Sequence, residues 1–161
     1  MGGEGTQSLP LPVLTRRDIF IMSEHVEITP EQRKRAEDTL HGLPFAQLMG
    51  MRLIDMRHNE AVIKIDMRDD LRQPAGVLHG GVTATLIDTA MAFAVITRLA
   101  EGERASTIDL TVHYLRPHFE GTFTCTAKVV RAGKRIFTVS ADVVNEEGKL
   151  IATAISTYTK V

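Results

Sequence analysis

The sequence predicts an α+β domain in which one antiparallel sheet packs against one long helix. The pattern order is helix, two strands, one long helix, then four strands in succession. The four final runs are joined by short turns, at Ala132-Gly133-Lys134 and Glu146-Glu147-Gly148 among them, and neither an internal repeat nor a second domain interrupts them. A chain of 161 residues fits one domain with a proper core.

Residues 1–27 are rich in Gly, Pro and Ser without sustained periodicity and read as a flexible extension, leaving 28–161 as the domain. Met1-Gly2 through Thr6 matches the short myristoylation pattern, though no polybasic stretch supports it, and Met22 is a second candidate start. Thr29-Pro30-Glu31-Gln32 is a helix start, with a capping hydroxyl, proline in the first turn, then acid and amide. That helix reaches about Leu40 before His41-Gly42 ends it, and Pro44–Met49 follows as a short apolar segment. Met51–Arg57 and Glu60–Met67 flank His58-Asn59 as a hairpin, and the second strand alternates Ala61, Ile63, Ile65 against Val62, Lys64, Asp66. The long helix spans about Gly80 to Leu99. Thr107–Leu115 places Ile108, Leu110, Val112 and Tyr114 on one face and Thr107, Asp109, Thr111 and His113 on the other. Gly121–Val130, Arg135–Asn145 and Leu150–Lys160 complete the sheet, with Cys125 alternating with Phe123 and Ala127 as core.

Bulk properties narrow the function. Net charge is −1, which argues against a nucleic-acid partner or attraction to anionic membranes. Cys125, the single cysteine, excludes an internal disulfide framework and fits a reducing compartment. No apolar run approaches the ~20 residues of a membrane span, and the start has no signal-peptide pattern, so a cytoplasmic protein is expected.

The chemistry centres on "PAGVLHGGVTATLIDTAMAFAV", residues 74–95. Asp88 lies two turns into a helix that otherwise reads as core, flanked on its face by Gly81, Ala84, Thr85, Met91, Ala92 and Val95. A buried carboxylate is costly unless paired or used. Asp88 is therefore either bonded to a nearby hydroxyl such as Thr85 or Thr89, or a desolvated base or nucleophile with small neighbours leaving room for substrate. His79-Gly80-Gly81 offers side-chain-free backbone N–H groups at the helix start, where donors lack partners and the dipole favours negative charge. Alone this is a tight loop-to-helix turn. With a mid-helix acid it matches an electrophile-activating end to a base. There is no Gly-x-Ser-x-Gly elbow, phosphate loop or dinucleotide fingerprint, and the six histidines (His25, His41, His58, His79, His113, His118) show no metal spacing.

Over roughly Leu43 to Lys160 the chain resembles the hotdog-fold thioesterases, in particular the PaaI-like acyl-CoA thioesterase group. The most specific part is "LHGGVTATLIDTA", in which the acid follows the histidine by nine positions; "STIDLTVHYLRP" and "AKVVRAGKRIFTVSADVVNEEGKLIATA" support it. The resemblance implies a sheet wrapped around one central helix, and hydrolysis of acyl-CoA without metal or redox cofactor, coenzyme A being part of the substrate. It places the carbonyl-polarising amide on Gly80, assisted by Gln73 or His79, with Gly81 beside it. The catalytic carboxylate falls on Asp88, acting on water or attacking directly. The water-orienting hydroxyl falls on Thr107, with Ser106 the alternative. Many relatives carry Asn where this chain has Gln73. The dihydroxynaphthoyl-CoA thioesterases share the Gln but usually have Glu in place of Asp88, so their substrate does not transfer.

Arg116, Arg131, Lys134 and Arg135 are expected either near the coenzyme A phosphates or as ordinary solvated charge. Met91, Ala92, Phe93 or Val95 would line an acyl or aroyl pocket. Gly80 and Asp88 are eight residues apart, a rise of roughly 12 Å, so the expected assembly is a homodimer with shared sites; the resemblance to hotdog proteins implies such dimers too, often paired into a tetramer. Gln73, His79 and Gly80 would come from one chain, Asp88 and Thr107 from the other. A hotdog enoyl-CoA hydratase or dehydratase, and a non-catalytic acyl-CoA-binding protein, remain as alternatives.

Overall fold

The computed structural model describes residues 27–161; of the expected extension over 1–27, all but Glu27, including its myristoylation-like start and Met22, lies outside the described residues. Two short helices lead. In α1, Pro30–Gly42, Thr29 and Gln32 form a reciprocal capping box: Gln32 N–H donates to Thr29 Oγ1 at 3.2 Å, and Thr29 N–H donates to Gln32 Oε1 at 2.8 Å. The short apolar segment is a second helix, α2, Pro44–Met49, stopped by Gly50 at φ +69°. A Cβ there would also lie 2.7 Å from Arg68 Nη1, whose guanidinium donates to the Leu48 and Met49 carbonyls.

The strands β1 (Arg52–Arg57) and β2 (Glu60–Asp66) form the expected hairpin, with Asn59 at φ +70° in its turn. A 3₁₀ turn, Asp69–Leu71, and an irregular loop lead into the long helix α3, Gly80–Ile96. It ends three residues short of the expected Leu99. Thr97 Oγ1 donates back to Ala94 O and accepts from the Asn59 backbone N–H, which ties the helix end to the β1–β2 turn. Strands β3 (Ala105–Tyr114), β4 (Thr122–Ala132), β5 (Ile136–Asn145) and β6 (Leu150–Lys160) follow, each within two residues of expectation.

One six-stranded antiparallel sheet results, in the order β1-β2-β4-β5-β6-β3. Val82, Leu86, Ile87, Ala90, Met91, Phe93, Ala94 and Val95 are all buried, which covers most of the circumference of α3. The sheet therefore curls around this helix rather than packing on one stripe of it. Register explains how it can come so close. Ala61 pairs with Ala127, Ala127 with Ala141, and Ala141 with Ala154, so a row of buried methyl groups crosses four adjacent strands. Bulkier residues flank that row on the same inner face, among them Ile63, Phe123, Cys125, Val139 and Val143. Burying each of these larger apolar side chains is worth about 1.5–3 kcal/mol. This is the hotdog arrangement.

Strand β3 departs from the expected alternation. Thr107 pairs with Tyr158 and Asp109 with Thr157, leaving Ile108 as the extra residue of a β-bulge. Thr107 consequently shares the inner face with Leu110 and Val112, not the outer face with Asp109, and Ile108 is 56% exposed. β3 is also an edge strand, bonded to β6 on one side only.

Candidate active site

The loop that precedes α3 is held by its own backbone. Gln73 N–H donates to Val77 O at 2.9 Å and His79 N–H to Leu71 O at 2.8 Å. Arg72 clamps it from outside, with Nη1 donating to Gly76 O at 2.6 Å and to Phe119 O at 2.7 Å. The helix then opens with His79 as N-cap. Its Nδ1 accepts from the Gly81 N–H at 2.9 Å. An Nδ1 that accepts carries no proton, so the neutral ring presents Nε2–H as a donor. The Gly81 amide, expected at the substrate, is therefore committed to His79. The Gly80 N–H, by contrast, has no acceptor among the described residues.

Gly80 also gives way to a ring. A Cβ there would lie 3.3 Å from Tyr114 Cε1, and Tyr114 Oη donates to Gly80 O at 3.0 Å. Beside this helix start is a cavity of about 310 Å³ whose wall includes Gln73, Val77, Gly80, Tyr114, Arg116 and His118. The expected pocket over Met91, Phe93 and Val95 is not there. Those three side chains lie on the faces of α3 that the sheet covers and are fully packed into the core, whereas Ala92 is half-buried, on the narrow stripe with Thr85, Asp88 and Thr89 that the sheet leaves partly open. His118 is buried, stacked edge-on to Phe123 at 5.4 Å, with Nε2 unpartnered among the described residues. Burial holds its imidazole below the usual histidine range, so it is neutral near pH 7.

Asp88 is half-buried, and its bonds come from neither Thr85 nor Thr89. Two hydroxyls from the sheet donate to the same oxygen, Oδ1: Thr107 Oγ1 at 2.8 Å and Tyr158 Oη at 2.8 Å. Oδ2 has no hydrogen-bond partner among the described residues. The bulge at Ile108 is what turns Thr107 inward to make this contact. Ser106 pairs with Thr159 in the sheet and makes no bond to Asp88. Tyr158 is a residue that sequence reasoning missed. It is 70 positions from Asp88, and its only local signal is an aromatic at an inward position of β6.

The basic residues divide. Arg131, Lys134 and Arg135 are exposed at the β4–β5 hairpin, where Arg135 O accepts from Lys160 N–H and Lys160 pairs with Ala105. Arg116 is at the other end of β3, its guanidinium donating to Leu150 O at 2.6 Å. Nine residue steps of strand, roughly 30 Å, separate the two ends of β3. Within one chain Arg116 therefore lies beside Gly80, and the other three lie beyond the Thr107 end. No cluster of three His, Cys, Asp or Glu side chains spaced for a metal occurs among the described residues. No helix among them is long and apolar enough to cross a membrane.

This arrangement can be compared with known proteins. A family model described as the thioesterase superfamily matches residues 75–152, from the loop before α3 into β6. A medium/long-chain acyl-CoA thioesterase of Escherichia coli, YigI, is 31% identical over 81% of this chain and 96% of its own length. The chain belongs to the thioesterase superfamily. It is accordingly a hydrolase acting on thioester bonds. Among solved structures, the Escherichia coli PaaI protein of the phenylacetic acid degradation operon superposes with a TM-score of 0.75 at 26% identity, covering 81% of this chain and 94% of that one. A Haemophilus influenzae thioesterase gives a TM-score of 0.74 at 25% identity, covering 85% of this chain and 93% of that one.

Proposed function

We propose that this thioesterase hydrolyses acyl-CoA at sites completed by two copies of the chain, with Gly80 polarising the carbonyl and Asp88 activating water. The observation that carries the reading is the contrast, among the described residues, between a Gly80 N–H with no acceptor and an Asp88 carboxylate whose Oδ1 is held by two hydroxyls while Oδ2 has no partner. The named activity of YigI supports acyl-CoA as substrate. Asp88 Oδ2 takes a proton from water, the resulting hydroxide adds to the thioester carbon, and charge gathers on the carbonyl oxygen at the Gly80 N–H. Collapse of that adduct breaks the C–S bond, the departing thiolate takes up the proton held by Asp88, and the carboxylic acid and the coenzyme A thiol leave with the Asp88 carboxylate restored. The Nε2–H of His79 and the amide of Gln73 are further donors on the Gly80 side. The cavity beside Tyr114 receives the acyl or aroyl group.

Because roughly 12 Å of helix separates Gly80 from Asp88, one carbonyl cannot engage both in a single chain. The open edge of β3, with Ile108, Tyr114 and Leu115 each about half exposed along it, supplies the surface for a second copy. Antiparallel pairing of two such edges would bring the Gly80 end of one chain to the Asp88 end of the other. It would also reunite Arg116 with the partner's basic hairpin, giving the coenzyme A phosphates cations from both sides.

Mixing two inactive variants tests this. Asp88→Ala removes the base. Gly80→Pro removes the amide hydrogen, and proline suits the first helical position after His79, whose backbone is already extended at φ −66°, ψ 131°. After co-refolding, about half the dimers are mixed, each with one intact site, so about a quarter of wild-type activity should return in a thiol-release assay. No recovery from two well-folded variants would overturn the shared site.

A further inference from the structure

Tyr158 takes no chemical step in the scheme above, yet it touches Asp88 twice. Its Oη lies 2.8 Å from Asp88 Oδ1 and 2.9 Å from the Asp88 backbone carbonyl oxygen. The phenol is only 2% exposed, so it meets no substrate, and it is seated on β6 directly across from Thr107. Burial, with the adjacent Asp88 charge, raises the phenol well above its ordinary range, which keeps it a protonated donor.

We propose that Tyr158 is a positioning residue for Asp88: it locks the carboxylate's rotamer by bridging side chain and backbone of the same residue, and so selects Oδ2 as the reacting oxygen. One hydroxyl proton shared between the Asp88 main chain and Oδ1 fixes the side-chain torsion in a way Thr107 alone cannot, since Thr107 meets Oδ1 only. A carboxylate free to rotate would exchange its two oxygens between the strands and the substrate side, and productive orientations would become a fraction of the total. The proposal rests on the reading of Asp88 as the base.

Asp88 is the only charged residue of α3. The groups that face it are the Thr107 hydroxyl from β3 and the phenol itself from β6. The inward residues of β2, β4 and β5 are apolar, apart from the buried Cys125, whose thiol burial holds far above its usual range. Among the described residues, these two hydroxyls alone are therefore placed to hold the Asp88 carboxylate.

Tyr158→Phe keeps the ring and removes the hydroxyl. Expected are a fall of about 10-fold in kcat and an unchanged KM, the split that a misoriented base produces. A merely structural phenol would leave kcat where it is in the folded variant. A second reading needs no variant of Tyr158. The chain has two tyrosines, so protein labelled with ¹³C at the tyrosine ζ carbon gives two resonances, Tyr114 serving as internal reference. The Tyr158 signal should move in Asp88→Asn, whose amide replaces the carboxylate that accepts from the phenol, while the Tyr114 signal stays in place. An unmoved Tyr158 signal in Asp88→Asn, or wild-type kcat in Tyr158→Phe when Asp88→Asn is inactive, overturns the positioning role. Full activity in Asp88→Asn would instead overturn the reading of Asp88 itself, whatever the Tyr158 resonance does.

Discussion

The start of α3 and its middle are built by opposite means. At the start the donors are set locally: His79 caps Gly81 two residues on, Gly80 contributes its backbone, and although Tyr114 of β3 reaches the Gly80 carbonyl, the Gly80 N–H meets no acceptor among the described residues. In the middle everything is remote: Asp88 is held by hydroxyls 19 and 70 positions away, on two different strands. A helix terminus makes unsatisfied donors without help, since the first N–H groups have no intrahelical partner. A mid-helix carboxylate has no such source of partners and depends on whatever the sheet brings to it. The free Gly80 N–H should therefore be less sensitive to changes in the sheet than the Asp88 carboxylate.

The largest effects should come from removing the reacting groups at either end. Asp88→Asn keeps the shape and leaves no base, and Gly80→Pro deletes one amide hydrogen; each should lower kcat by about 10²-fold or more with cooperative unfolding retained. Turnover within a few-fold of wild type in either variant would remove that end from the chemistry. A smaller loss, about 10-fold in kcat/KM, is expected for Gly80→Ala. This variant keeps the N–H but places a methyl group 3.3 Å from the Tyr114 ring, at the mouth of the cavity. Since alanine favours helix over glycine, its melting temperature should stay level or rise while activity drops. A parallel fall in both would mean that Gly80 is glycine for packing alone.

The smallest effects fall on the strand side. Thr107→Ala removes one of two donors to Oδ1 and leaves Tyr158, so a loss of a few-fold in kcat is expected, and Ser106→Ala should be near neutral. A more damaging Ser106→Ala would show that the bulge at Ile108 does not hold in the working enzyme, because without it the inward position passes from Thr107 to its neighbour.

Much of this molecule was legible in the residues alone. The capping box at Thr29, the Asn59 turn, the alternation in β4 and β5 and the all-apolar run of α3 are short-range patterns, each set by backbone geometry and by which side chains water rejects. The family motif through Gly80 and Asp88 was legible for the same reason: nine positions of one helix carry both ends of the site. Three features were not. The inward turn of Thr107 needs an extra residue in β3, and a bulge is visible only once the partner strand fixes the register. The Tyr158 bridge joins residues 70 apart that meet only because β6 lies next to β3. The row of alanines from Ala61 to Ala154 becomes a row only in the folded sheet, where it lets the strands come close enough to α3 to pack Met91 and Phe93 into the core, while the cavity opens at Gly80. Spacing along the chain set what each element is. Which side chains meet was decided by packing and register, since contact depends on distance in space and not on separation in sequence.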